Sequence, residues 1–244
     1  MAAPAERKAL GPSGPAEREA LVDDIRDRLG AVHERIEAAG GDPDAVQVVG
    51  VTKGHGPEVC EAALAAGLTE LAESYAQELA AKAGRASLAR VQWHFVGGLQ
   101  TRKVRALAGP VQVWQSVDRP RLVEEVARWA HGATVLVQVA LSEEPGKAGC
   151  PFPEVAALVA EARAYGLNVA GLMGVGPTAG GPEAARPGFR RLAGTARDLG
   201  VGTVSMGMSA DLSVAVAEGA TLVRVGTALF GPRPARAAVR AWDQ

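Results

Sequence analysis

Lys53 closes the apolar run Val48-Val49-Gly50-Val51-Thr52. A lysine where a buried strand meets its loop holds its ammonium beside a low-dielectric core. Desolvation there favours the free amine, a nucleophile able to condense with a carbonyl. A solvated strand-end lysine fits the same position, and position alone does not choose between the two. Two turns carry a second chemistry. Ser205-Met206-Gly207-Met208-Ser209-Ala210-Asp211 and Arg224-Val225-Gly226-Thr227 combine glycines, hydroxyls and helix starts. Glycine lets the backbone close on an anion, while hydroxyls and helix N-terminal amides donate to it. Ser209 and Thr227 serve equally as ordinary helix caps. His94, in Trp93-His94-Phe95-Val96-Gly97-Gly98-Leu99-Gln100, either lines a pocket mouth as a hydrogen-bonding group or base, or sits satisfied in a core. Ser74, after Glu73, either reaches the same space or caps the next helix. Lys147, in a Gly/Pro-bearing loop, reads as a second amine or as a plain solvated lysine.

These groups need a frame. Short apolar runs at Val46–Val51, Thr69–Ala72, Val91–Val96, Val111–Val117, Thr134–Leu141, Leu167–Met173, Val201–Met206 and Thr221–Val225 predict eight strands. Helical patterns lie between them, at Pro57–Ala66, Tyr75–Ala83, Arg102–Leu107, Arg119–His131, Pro153–Tyr165, Gly188–Leu199 and Asp211–Glu218. Apolar residues Leu21, Ile25, Leu29, Val32 and Ile36 predict a long amphipathic helix over Ala16–Ala39, closed by Gly40-Gly41. Strands alternating with helices argue for a parallel sheet, and eight units close a (β/α)8 TIM barrel with one extra N-terminal helix. A doubly wound open sheet is the alternative, but Val51-Thr52-Lys53-Gly54-His55-Gly56 is not its Gly-rich fingerprint. In a barrel, strand ends carry function, and the loops after strands seven and eight form the recurrent phosphate site. Lys53 on strand one then becomes their neighbour.

Composition is consistent with this frame. The chain has 244 residues, 48% hydrophobic but only 4% aromatic, so its core must be built from Ala, Val and Leu. Its 26 basic and 27 acidic residues leave no surplus to neutralise a phosphate backbone, which argues against nucleic acid as a partner. No apolar run is long enough to span a bilayer. Cys60 and Cys150 lack metal-ligand spacing and read as packing residues of a cytoplasmic protein. Residues 1–15, rich in Ala, Pro and Gly, are expected to form a disordered tail before one domain over 16–244.

In combination the motifs resemble a known family. Lys53, Ala72-Glu73-Ser74-Tyr75-Ala76-Gln77-Glu78, Trp93-His94-Phe95-Val96-Gly97, Leu99-Gln100 with Lys103, and Ser116-Val117-Asp118-Arg119 occur in order. So do Gly171-Leu172-Met173, Ser205-Met206-Gly207-Met208-Ser209 with Asp211, and Val223-Arg224-Val225-Gly226-Thr227-Ala228-Leu229-Phe230-Gly231. Spread from about Leu21 to Arg233, they resemble the pyridoxal phosphate homeostasis (YggS/PROSC) proteins, whose fold is similar to the alanine racemase N-terminal domain. The resemblance implies that pyridoxal 5′-phosphate is held on Lys53 as an aldimine. Ser74, His94, Met208, Ser209, Gly226 and Thr227 surround it, with the phosphate on Ser209, Gly226 and Thr227 and Arg224 facing the pyridine nitrogen. Ser74 stands where the family carries Asn, Ala72 where it carries Gly, and Gly98 where it carries Pro.

A guanidinium opposite the ring nitrogen disfavours its protonation and weakens the ring as an electron sink. Few residues follow Phe230, leaving no room for the second domain that racemase-like enzymes carry. The resemblance thus implies a monomeric carrier that supplies cofactor to apo-enzymes without a full catalytic cycle. A racemase or decarboxylase on the same barrel is the alternative, and a phosphate-ligand barrel without the lysine adduct is a third.

Overall fold

The structure, a computed structural model, describes residues 14–142, 144 and 146–233. Of the tail expected over residues 1–15, residues 1–13 lie outside that range, and Pro15 already opens the first helix. Eight parallel strands close on themselves in chain order, with β8 pairing back onto β1. They are β1 Gln47–Val51, β2 Glu70–Glu73, β3 Gln92–Phe95, β4 Val111–Val117, β5 Thr134–Val139, β6 Asn168–Gly174, β7 Thr203–Ser205 and β8 Leu222–Val225. The barrel expected from the sequence is therefore the one formed, and the open sheet is not. Strand β5 stops two residues early because the chain folds back: Cys150 N–H donates to Gln138 O at 2.7 Å, and Ala140 N–H to Cys150 O at 3.0 Å.

Helices α1 Pro15–Ala38, α2 Pro57–Ala65, α3 Ala76–Ala83, α4 Thr101–Leu107, α5 Pro120–Trp129, α6 Val155–Ala164, α7 Arg186–Asp198 and α8 Leu212–Ala217 surround the sheet, with the single turn α9 Thr227–Phe230 after β8. Helix α1 buries Ile25, Val32 and Ile36, the stripe read from its spacing. It packs on α2, α8 and α9. The helix expected to be an extra element thus occupies the gap in the ring that the single-turn α9 leaves after β8.

The main apolar core lies between strands and helices, where Val, Leu and Ala fill the layer. The inner face of the barrel differs. Register pairs Val49 with Arg224, Val51 with Ala72, Ala72 with His94 and Ser205 with Leu222, which puts all of them on one face. A small apolar cluster, Val49, Ala72 and Leu222 with Val51 and Val96, sits there, and the register sets buried Met173 beside Ser205 on the same face. The rest of that face includes buried His94, Gln115, Gln138, Ser205 and Arg224. Buried polar groups carry a desolvation cost unless they bond one another, so this interior must be a network.

Candidate functional site

Lys53 lies in the turn directly after β1 and is half-buried. It follows the inner-face residues Val49 and Val51 at the same two-residue spacing. Burial lowers its pKa below the usual 10.5, and Arg233 and Arg224 lower it further against the opposing pull of Glu73. These effects enlarge the fraction of free amine near neutral pH.

The backbone on both sides of Lys53 is gripped by α3. Lys82 Nζ donates to Thr52 O at 2.9 Å and to Glu73 Oε1. Gly54 N–H donates to Glu78 Oε2 at 2.8 Å, and Thr52 Oγ1 donates to Glu73 Oε1 at 2.7 Å. The Lys82 and Glu73 side chains are 4% and 0% exposed. Burial pushes the Glu73 carboxyl up, with Lys82 opposing it. Lys82 is the site residue that the sequence reading missed. A lysine in the alanine-rich stretch Ala80-Ala81-Lys82-Ala83 reads as solvent-facing, and the spacing of Glu78 and Lys82 suggests only an exposed pair.

The two phosphate-like turns meet. Ser209 Oγ accepts from Ala228 N–H at 3.2 Å, so the hydroxyl joins the loop after β7 to the start of α9 rather than capping its own helix. Gly226 is half-buried and Thr227 exposed at that junction. Gly207, at φ 89°, makes the preceding bend, and a Cβ there would come within 2.5 Å of Ala215 Cβ. Met208 is 39% exposed, and its N–H donates to Asp211 Oδ1 at 2.6 Å. From α1, Arg35 donates to Ser209 O at 3.0 Å and Arg28 to Leu229 O at 3.3 Å. Ser74 is half-buried in the turn after β2, against Gly97.

Arg224 is 4% exposed on the inner face of β8. It donates to Ser205 Oγ at 2.6 Å and to Gly174 O at 2.8 Å, and makes no ion pair among the described residues. Burial lowers its pKa to about 10, which still leaves it cationic at neutral pH. His94 is not at the barrel mouth. It lies within the barrel, bonded to Glu70 and Gln115, and reaches Arg224 only through other side chains. Lys147 is tied down as well: it donates to Gly176 O at 2.6 Å and pairs with Glu144 at 2.8 Å, linking the loops after β5 and β6. Cys60 and Cys150 are buried and free, with burial pushing their thiols up to about 12 and about 11, so both pack rather than react.

The profile of the alanine racemase N-terminal domain matches residues 23–234. A pyridoxal phosphate homeostasis protein of Deinococcus radiodurans is 40% identical over 207 residues, covering 83% of this chain and 97% of that one. The chain belongs to the pyridoxal phosphate homeostasis protein family. Another member of that family, from Pseudomonas aeruginosa, is 36% identical over 220 residues, 87% of this chain and 96% of its own. A solved structure of PipY from Synechococcus elongatus with PLP bound is 30% identical with a TM-score of 0.69, over 82% of this chain and 100% of that one. Among the described residues no helix is long and apolar enough to cross a membrane, and no group of His, Cys, Asp and Glu is arranged to hold a metal ion.

His55, two residues beyond Lys53, packs on the Phe230 ring, and burial, then Lys82 and Arg233, lowers its pKa from 6.5 to about 4. Between those values the unfolded chain takes up a proton that the fold does not. Stability is therefore full above pH 6.5, declines as pH falls, and loses nothing further from this group below about pH 4. Urea midpoints taken at pH 7.5 and 4.5 are expected to differ less in His55→Gln than in the parent protein. An equal fall in both would rule the assignment out.

Proposed function

We propose that this family member binds pyridoxal 5′-phosphate and serves its homeostasis, taking the cofactor on Lys53 and releasing it to apo-enzymes without a full catalytic cycle. What supports the reading is Lys53 in the turn after β1, in line with the inner-face residues Val49 and Val51 and near enough to Arg224 for that charge to act on its amine. The chemistry of the donors fits the cofactor: an amine for its aldehyde, the Ser209 and Thr227 hydroxyls and the Gly226 turn for its phosphate, and a cation for its ring. When bound, pyridoxal phosphate supplies an aldehyde open to a lysine amine, and a ring that draws electrons best when its nitrogen is protonated. Arg224 keeps its own protons at neutral pH, so the residue the resemblance assigns to that nitrogen offers a hydrogen bond and no acid. Ser74, in the turn after β2, and Met208, in the loop after β7, would complete the set of residues that hold the cofactor. We propose that residues 16–244 act as one monomeric barrel domain.

Borohydride reduction in the presence of pyridoxal phosphate tests the assignment. Peptide mass analysis is expected to find one stable adduct, on Lys53, and Lys53→Ala is expected to lose it while retaining weak reversible binding. An adduct of equal yield in Lys53→Ala, or one confined to Lys147, would overturn it. Lys53-dependent turnover of an amino acid would replace the carrier reading with a racemase or decarboxylase.

A further inference from the structure

A line of side chains crosses the inner face of the barrel, and its direction follows from one end. Arginine can only donate, so Arg224 Nη1 donates to Ser205 Oγ at 2.6 Å. The single Ser205 proton then goes to Gln115 Oε1, 2.6 Å away. That turns the Gln115 amide NH2 toward His94 Nδ1 at 2.7 Å, and a ring nitrogen facing an NH2 must accept. His94 therefore carries its proton on Nε2 and donates it to Glu70 Oε2 at 2.6 Å. Four successive hydrogen bonds point one way, from a buried cation on β8 through β7, β4 and β3 to a carboxylate at the start of β2. His94 is 2% exposed, whereas Glu70 is 25% exposed. Gln115 and Ser205 are both fully buried.

We infer that Glu70, His94, Gln115 and Ser205 are positioning residues that fix the orientation of the Arg224 guanidinium. Gly174 O holds one Nη of Arg224, and the chain through Ser205 holds the other. Without the chain the guanidinium keeps a single anchor and is free to turn about its Nε–Cζ bond. Each link has one acceptable polarity, so the chain is a unit: reversing or deleting any member leaves a buried donor or acceptor without a partner. His94, assigned to the cofactor by resemblance, acts through two other side chains. That this orientation serves a cofactor ring rests on the function proposed above; the order of the hydrogen bonds does not.

Nitrogen-15 NMR of the full chain, first without added ligand, reads the proposal directly. Wild type is expected to show neutral His94 protonated on Nε2 and separate Nη signals for Arg224, reporting hindered rotation. Gln115→Met is expected to merge the Nη signals. Glu70 is partly exposed and tolerant of change: Glu70→Gln, which still accepts from Nε2, is expected to keep both signatures, while Glu70→Leu loses them. Added pyridoxal phosphate is expected to bind about tenfold more weakly to Glu70→Leu than to Glu70→Gln, the equivalent of one hydrogen bond. If Gln115→Met does not fold, the Glu70 pair decides. Separate Nη signals in Glu70→Leu, or His94 protonated on Nδ1 in wild type, would overturn the inference. Intact NMR signatures with no pyridoxal phosphate bound would overturn the proposed function instead.

Discussion

Lys82→Met is expected to cost about 3–5 kcal/mol of stability, the loss typical of breaking a buried ion pair from one side. The cause is the partner left behind. Glu73 is fully buried, and its Oε2 has no hydrogen-bond partner among the described residues even with Lys82 in place. Removing the ammonium leaves a carboxyl that must take up a proton or stay charged in an apolar layer. The double variant Lys82→Met/Glu73→Gln is expected to recover most of the loss, because the uncompensated charge goes with its partner. Chemical denaturation of the two single variants and the double variant measures this, and a loss below about 1 kcal/mol in Lys82→Met would contradict the argument. The single variant also frees Thr52 O, so the turn carrying Lys53 loosens and adduct formation slows.

The second large effect is steric. A Cβ on Gly97 would stand 2.0 Å from Ser74 O and 2.7 Å from Ser74 Cα, backbone atoms that no rotamer change can move. Gly97→Ala is expected to force the turns after β2 and β3 apart at a cost of about 1–3 kcal/mol or more. Because Ser74 sits in the displaced turn, pyridoxal phosphate affinity is expected to fall with stability. Gly98→Ala is the control: a Cβ there meets nothing within 4 Å, and neither quantity should change. Equal melting temperatures for the two alanine variants would sink the prediction.

The alternation of apolar runs and helical stripes exposed the barrel, because each β/α unit carries its own local period. All eight strands fall inside or within a residue of their expected spans, and boundaries slipped where a tertiary contact intervenes, as at the Gln138–Cys150 turn. Lys53, Ser209, Gly226 and Thr227 were legible because strand ends in a barrel converge on one rim. The polar interior was only half legible. His94 and Arg224 stood out singly, Ser205 entered only as part of the turn motif after strand seven, and Gln115 passed as an ordinary residue of its strand. Their signal was a polar residue at alternate positions of otherwise apolar strands, and their partners lie as far apart as 90 residues. Lys82 had no such signal, since its burial depends on how α3 docks against β2 and β3.

Helix α1 has a consequence in time as well as in space. Its links to the rest of the ring join residues 174 and 201 positions apart, through Arg35 to Ser209 and Arg28 to Leu229. Closing loops of that length carries a large entropic cost before any contact repays it, so the β1–β8 seam belongs to the slow, high-contact-order part of folding. On the ribosome α2 follows α1 closely, whereas α8 and α9, the other helices α1 packs on, come far later. Until β8 and α9 emerge, Ile25, Val32 and Ile36 have only part of their groove, and the nascent chain carries an incompletely covered apolar stripe.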